Sequence, residues 1–181
     1  IMGYSMSSNG TWAILHGIGA AEDKSIVGNM QLYSIEKSQQ QILEGFCGHF
    51  CEVCVNDDPE FKNSLFCFVE KKKGQPNSTL RIMEIGSPNG SDTKFKQSAA
   101  LAYPPDVAND FPVVVHSVQK YGILLVVTKF GYLFTYVMGS AALIYRQKIT
   151  SSLIFRSVRN TKTDGCICCN RDGQLLAINV D

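Results

Sequence analysis

Short apolar runs broken by turn residues dominate this chain. Trp12-Ala13-Ile14-Leu15 reads as a strand, and so do residues 27–35, 50–55, 64–70 and 79–85. The first of these longer runs ends at the polar stretch 36–41, the next at Asn56-Asp57-Asp58-Pro59. The basic, turn-rich segment 71–78 and Gly86-Ser87-Pro88-Asn89-Gly90 close the following two. The second half is a tighter series, with apolar runs at 112–118, 122–128, 132–137, 142–149, 155–158, 165–169 and 175–180. Val, Ile, Phe and Tyr fill the runs, while Gly, Asn, Asp and Pro lie between them, which is the composition of strands joined by turns. No long stretch carries a helical period with caps.

Strands at this spacing predict a sandwich, a barrel or a propeller. Two turns carry more information than the rest. Lys129-Phe130-Gly131-Tyr132 and Arg171-Asp172-Gly173-Gln174 each lie between two apolar runs. Glycine there supplies the positive φ that a tight hairpin needs. The pattern of apolar strand, polar-Gly turn and apolar strand recurs about 42 residues apart, from Gly131 to Gly173. That is the length of a propeller blade. Two occurrences fit a sandwich as well, so periodicity by itself leaves both architectures open.

Composition narrows the functional classes. The 181 residues suffice for one domain with its own core. A formal net charge of +1 argues against a general nucleic-acid binder, which needs a basic excess to engage phosphates. The longest aliphatic run, residues 123–127, is far short of the roughly 20 residues that span a bilayer. Residues 1–10 are too polar for a signal peptide. Position 1 is Ile rather than Met, which predicts a chain cut from something longer. Seven cysteines, an odd number, point to a reducing compartment, and the sequons at Asn9, Asn77 and Asn89 are then expected to carry no glycan.

The residues that commonly carry chemistry read better as structure. Cys47, His49, Cys51 and Cys54 suggest zinc, but strand alternation sends the first three to one face and Cys54 to the other. Small buried cysteines on strands are the plainer reading. His16, His49 and His116 belong to no nucleophile-base motif, and no Gly-X-Ser-X-Gly elbow occurs. Gly17-Ile18-Gly19 lacks the third glycine and following helix of a dinucleotide site. Glu22-Asp23, Asp57-Asp58 and Lys71-Lys72-Lys73 are solvated turn charges. No catalytic, metal or cofactor site is expected.

Several segments resemble the clathrin heavy chain family. They are Met30-Gln31-Leu32-Tyr33-Ser34, Leu65-Phe66-Cys67-Phe68, the run from Tyr103-Pro104-Pro105-Asp106 through Asn109-Asp110-Phe111-Pro112-Val113, Thr128-Lys129-Phe130-Gly131-Tyr132 and Asn170-Arg171-Asp172-Gly173-Gln174-Leu175-Leu176. They occur in the family's order, over residues 4–180. The Pro-Pro to Phe-Pro-Val run is the most specific. Cys47, Cys51, Cys54 and the long basic segment 71–78 depart from the family, so the chain reads as a divergent member.

The resemblance implies an all-β fold: about the last four blades of a seven-bladed β-propeller, with antiparallel four-stranded blades near 1–45, 46–103, 104–150 and 151–181, the last one strand short. It implies a vesicle-coat structural protein, cytoplasmic and peripheral on coated pits and coated vesicles, that catalyses nothing. Its inter-blade grooves would bind short linear motifs of adaptor and arrestin type during endocytic trafficking. Clathrin light chain and other heavy chains would be partners through regions outside this segment, and contact with membrane would be indirect, through adaptors. Carried onto matching positions, the peptide site comprises Trp12, Leu32, Lys37, Gln41, Leu43 and Met83. Trp12, Leu32, Leu43 and Met83 would form apolar pockets, Lys37 would meet acidic or carbonyl groups, and Gln41 would bond the peptide backbone. Lys37 stands where the family has arginine and Gln39 where it has an aliphatic residue. A lysine lacks the planar fork of arginine, which predicts weaker binding. Met2 and Ile18 match part of a second site near the central channel. The competing readings are a WD-repeat-like scaffold, which lacks its Trp-Asp dipeptide here, a zinc-binding β-domain built on the cysteine cluster, and a secreted glycan-binding sandwich.

Overall fold

The computed structural model describes residues 3–22, 24–55, 58–75, 77–85, 94–104, 107, 109–160 and 162–180; of 54–62 and 94–96 only the backbone is described where it is covered. Met2, Asp23, Asp57 and Asn89 lie outside the described residues. No α-helix occurs among the described residues. The chain divides into two compact units, Ile1–Ala102 and Tyr103–Asp181.

Unit 1 is a continuous antiparallel meander of seven strands. They are β1 (Gly3–Met6), β2 (Trp12–Ala20), β3 (Ile26–Ser34), β4 (Gln39–Val55), β5 (Asp58–Glu70), β6 (Ser78–Glu84) and β7 (Lys94–Leu101), hydrogen-bonded in chain order. The 17-residue β4 belongs to two four-stranded groups at once. Its first part pairs with β3 from Ser34↔Gln39 to Asn29↔Glu44. From Gly45↔Glu70 onward it pairs with β5. Glycine sits at the crossover for a steric reason. A Cβ on Gly45 would collide with the Val69 carbonyl, and one on Gly28 with the Gly45 carbonyl. Just past it the register slips between Phe46 and His49, and Cys47 adopts a left-handed φ of 59°. Such a bulge bends the strand and resets which side chains face inward.

The strand alternation then fills one shared core. Ile14, Met30, Leu32 and Leu43 from the first group meet Phe66, Phe68, Met83 and Ile85 from the second, and Trp12 and Phe50 pack against them half-buried. Phe66 lies at the centre, with ring centroids 5.1 Å from Phe50 and 5.7 Å from Phe68.

Unit 2 holds two further antiparallel sheets. One orders β11 (Leu143–Lys148), β10 (Tyr132–Val137), β9 (Ile123–Thr128) and β8 (Pro112–Val118) side by side. The other has three strands, β12 (Ile154–Arg159), β13 (Cys166–Asn170) and β14 (Leu175–Ile178). The two glycine turns expected from the sequence are present. Gly131 N–H donates to the Thr128 carbonyl at 3.2 Å with φ 84°, and Gly173 N–H donates to the Asn170 carbonyl at 3.1 Å with φ 78°. Each turn is braced by a side chain. The buried Asp110 carboxylate accepts from the Phe111 and Phe130 amides at 2.8 and 3.0 Å. The Asn170 amide oxygen accepts from Asp172 and Gln174 at 3.1 and 2.9 Å. Val118, Leu125, Val127, Leu133, Ile154, Cys166 and Cys168 form one core cluster, and Leu124, Val126, Phe134 and Tyr136 are buried as well.

Three strands were not legible as such. The sequence reading has no strand at β1 or β7, and it places Gln39, Gln40 and Gln41 in a polar break where β4 begins. β1 is only four residues long, and β7 and the start of β4 are rich in Lys and Gln, so pairing with a neighbour decides their conformation where periodicity does not.

Candidate peptide-binding surface

The cross-strand register brings most of the residues singled out above onto one face. Trp12 is opposite Ser34 and Ile14 is opposite Leu32. Leu32 is in turn opposite Gln41, and Met30 is opposite Leu43. Side chains two apart on a strand share a face. Trp12, Leu32, Gln41 and Leu43 therefore belong to the inward face of the first group, and Met83 joins them in the same core cluster from β6.

Burial separates them into two kinds. Leu32 and Met83 are 0% exposed and Leu43 is 7% exposed, so these three make the floor of the cluster. Trp12 and Gln41 are half-buried at its margin. Lys37 is exposed in the turn between β3 and β4, where its amide donates to Ser34 Oγ at 3.4 Å. That turn is tight, with Ser38 at a left-handed φ of 50° and its amide bonded to the Ile35 carbonyl. Trp12 and Gln41 thus stand half-buried on the inward face of the first group, with Lys37 exposed in the adjoining turn. This suits an extended peptide with apolar side chains and an acidic flank.

The sequence reading missed one neighbour. Ile35 is 48% exposed in the same turn as Lys37, and its amide is anchored on the Thr11 carbonyl at 2.9 Å, next to Trp12. An isoleucine immediately before Glu36-Lys37-Ser38 is the signal that was available. Ile18, assigned to a second site, is 47% exposed near the far end of β2, six residues and about 20 Å along the strand from Trp12. Its proposed companion, Met2, is outside the described residues.

Cys51 and Cys67 are buried with their sulfurs 3.5 Å apart. Burial raises the Cys47 thiol far above its ordinary range. The side chain of Cys54 is not described. Among the described residues no group of three His, Cys, Asp or Glu side chains is placed to hold a metal ion. No helix among the described residues is long and apolar enough to cross a membrane.

Comparison with solved structures agrees on the architecture. The chain superposes on the computationally designed Ika4 protein with a TM-score of 0.55, covering 91% of this chain and 92% of that one at 11% identity. No family model matches the chain. Its relatives do: it is 37% identical to clathrin heavy chain 2 of Oryza sativa subsp. japonica and 34% identical to the clathrin heavy chain of Drosophila melanogaster, in both cases over all of its length. It is 33% identical to clathrin heavy chain 2 of Homo sapiens over 94% of its length. The chain is thus an all-β propeller fragment with antiparallel sheets. It belongs to the clathrin heavy chain family, aligned with part of the N-terminal region. It spans only 10–11% of the length of these relatives.

Proposed function

We propose that this chain is a piece of a vesicle-coat propeller, that it acts by binding rather than by catalysis, and that it takes short linear motifs of trafficking adaptors on the face carrying Trp12, Gln41 and Lys37. Residues 1–45, 46–103, 104–150 and 151–181 are its successive blades. The switch of β4 from one strand group to the other between Glu44 and Gly45 supports the first of these boundaries. In the whole protein the module serves at coated pits and coated vesicles. Light chain and neighbouring heavy chains are engaged by other regions, and adaptors link it to the membrane.

The observation that carries the peptide reading is one half-buried tryptophan and one half-buried glutamine on the inward face of the first strand group, with an exposed lysine in the adjoining turn. Each contact is weak, and repetition across a lattice raises the avidity without any new contact. Lysine at position 37 gives attraction without bidentate geometry, so affinity responds to salt.

A Leu-rich acidic peptide titrated against the chain should change Trp12 fluorescence, since Trp12 is the single tryptophan. Lys37→Glu and Gln41→Ala alter the exposed and half-buried positions and leave the core intact. Saturable binding that Lys37→Glu abolishes supports the reading. Binding unaffected by both substitutions, or no binding by the folded chain, contradicts it.

A further inference from the structure

β11 differs from every other strand of its sheet. β8, β9 and β10 are largely buried, whereas each residue of β11 is exposed, the large apolar side chains of Leu143, Ile144 and Tyr145 included. The outer part of β4 in unit 1 alternates instead, with Leu43 buried between exposed Ile42 and Glu44. No such alternation occurs in β11, so both of its faces are open. The chain's own course leaves its edge open as well. β10 pairs with it on one side, and the chain then leaves through Ile149 for β12, which belongs to the other sheet. Among the described residues no strand pairs with its second side.

The register fixes which backbone groups face outward. Ile149 N–H donates to the Gly131 carbonyl at 2.8 Å where the ladder between β10 and β11 begins. Bonded and non-bonded pairs alternate along antiparallel strands. Leu133↔Gln147 and Thr135↔Tyr145 are therefore bonded pairs. Arg146 and Lys148, opposite Phe134 and Tyr132, turn their N–H and C=O groups away from β10. Both cationic side chains lie on one face, with Lys148 Nζ 5.5 Å from the centre of the Tyr132 ring. Tyr145 and Gln147 lie on the other. The charge around this edge is of one sign. From Phe111 to Thr163 the sequence has no Asp or Glu but seven Lys and Arg, so no carboxylate on β8 to β12 offsets Arg146 or Lys148.

We propose that β11 is a docking edge for an acidic, extended peptide, which adds antiparallel to it as a further strand of the sheet. In that arrangement the peptide residues opposite Arg146 and Lys148 exchange both backbone hydrogen bonds with them, and their side chains share the face of the two cations. Glu suits those two positions. The residues between and beside them fall on the face of Tyr145, where Val or another β-branched residue suits. Backbone bonds supply the affinity of such strand addition, and the alternation of side chains supplies its selectivity. A second copy of this chain fits worse. Two β11 strands laid edge to edge bring two Arg146 and two Lys148 side chains together, and charge on an edge strand keeps sheets from pairing in that way. The cations that repel another β11 attract a carboxylate-bearing strand. This edge belongs to unit 2 and needs nothing from the Trp12 face of unit 1.

The test is fluorescence anisotropy of a labelled Glu-Val-Glu-Val-Glu-Val peptide titrated with the chain. Arg146→Glu combined with Lys148→Glu should abolish binding, and Lys37→Glu should leave it unchanged. Attraction of charge alone gives the same pattern, so backbone methylation separates strand addition from it. N-methylation of the Glu residues removes the donors aimed at β11 and should weaken binding roughly tenfold or more. N-methylation of the Val residues, whose N–H groups point away from β11, should change it less than about twofold. Equal loss from both methylated peptides, binding that survives the double charge reversal, or no binding by the folded chain overturns the proposal. Binding lost in Lys37→Glu places the peptide on the other surface and overturns it too. So does a concentration-dependent dimer in sedimentation that competes with the peptide, because a second copy then occupies the edge. If the double variant fails to fold, the two methylated peptides decide the matter on the unsubstituted chain.

Discussion

Between the strand groups of unit 1 the filling is almost wholly hydrocarbon, with Phe66 and Phe68 at its centre. In unit 2 the core clustered around Val118 and Ile154 also includes two thiols, and a His116–Ser157 hydrogen bond joins β8 to β12 beside them. Strand pairing is antiparallel in both units. The difference lies in what a charge does to each. Unit 1 gains from exclusion of water and has little there that titrates, whereas unit 2 keeps a histidine neutral at a cost that depends on pH.

Substitution at the centre of unit 1 should have the largest effect. Phe66→Ala removes a fully buried ring and should cost about 3–5 kcal/mol, read from urea unfolding. A loss below about 1 kcal/mol would mean that the two strand groups do not share a core. The His116 effect is smaller and confined to a pH window. The unfolded chain protonates this histidine near 6.5, while the folded chain does so only at about 4. Between those values the unfolded state holds the extra proton, so stability falls as pH drops through the window, by up to about 3 kcal/mol in all. His116→Gln should flatten that part of the stability curve, and a curve unchanged by it would remove the buried neutral ring from the account. Smallest is Ser38→Gly, which relieves a left-handed backbone in an exposed turn and should add about 0.5–1 kcal/mol in thermal unfolding.

How far the sequence could be read depended on the kind of residue. Gly131 and Gly173 announced their hairpins because positive φ is a local demand that few other residues meet. The apolar runs of β8 to β10 were visible through their Val, Ile, Leu, Phe and Tyr content. The start of β4 was not, because Gln39, Gln40 and Gln41 become a strand only by pairing with β3. Gly45 and Gly48 look like breaks in a strand, yet β4 runs through both, since close backbone approach at the crossover requires the first of them. The candidate site was legible as a set of positions, but resemblance gives no exposure. Leu32 and Met83 are floor rather than rim, and Ile35 read as the last residue of a strand, whereas it stands exposed in the turn with Lys37.

The central claim is that peptide recognition belongs to the Trp12 face of unit 1. Hydrogen exchange of the chain with and without a Leu-rich acidic peptide tests it most directly. The account predicts added protection in the turn at 35–38 and in residues 39–44, with β12 to β14 unchanged. Protection confined to unit 2, or absent while the peptide is bound, would contradict it.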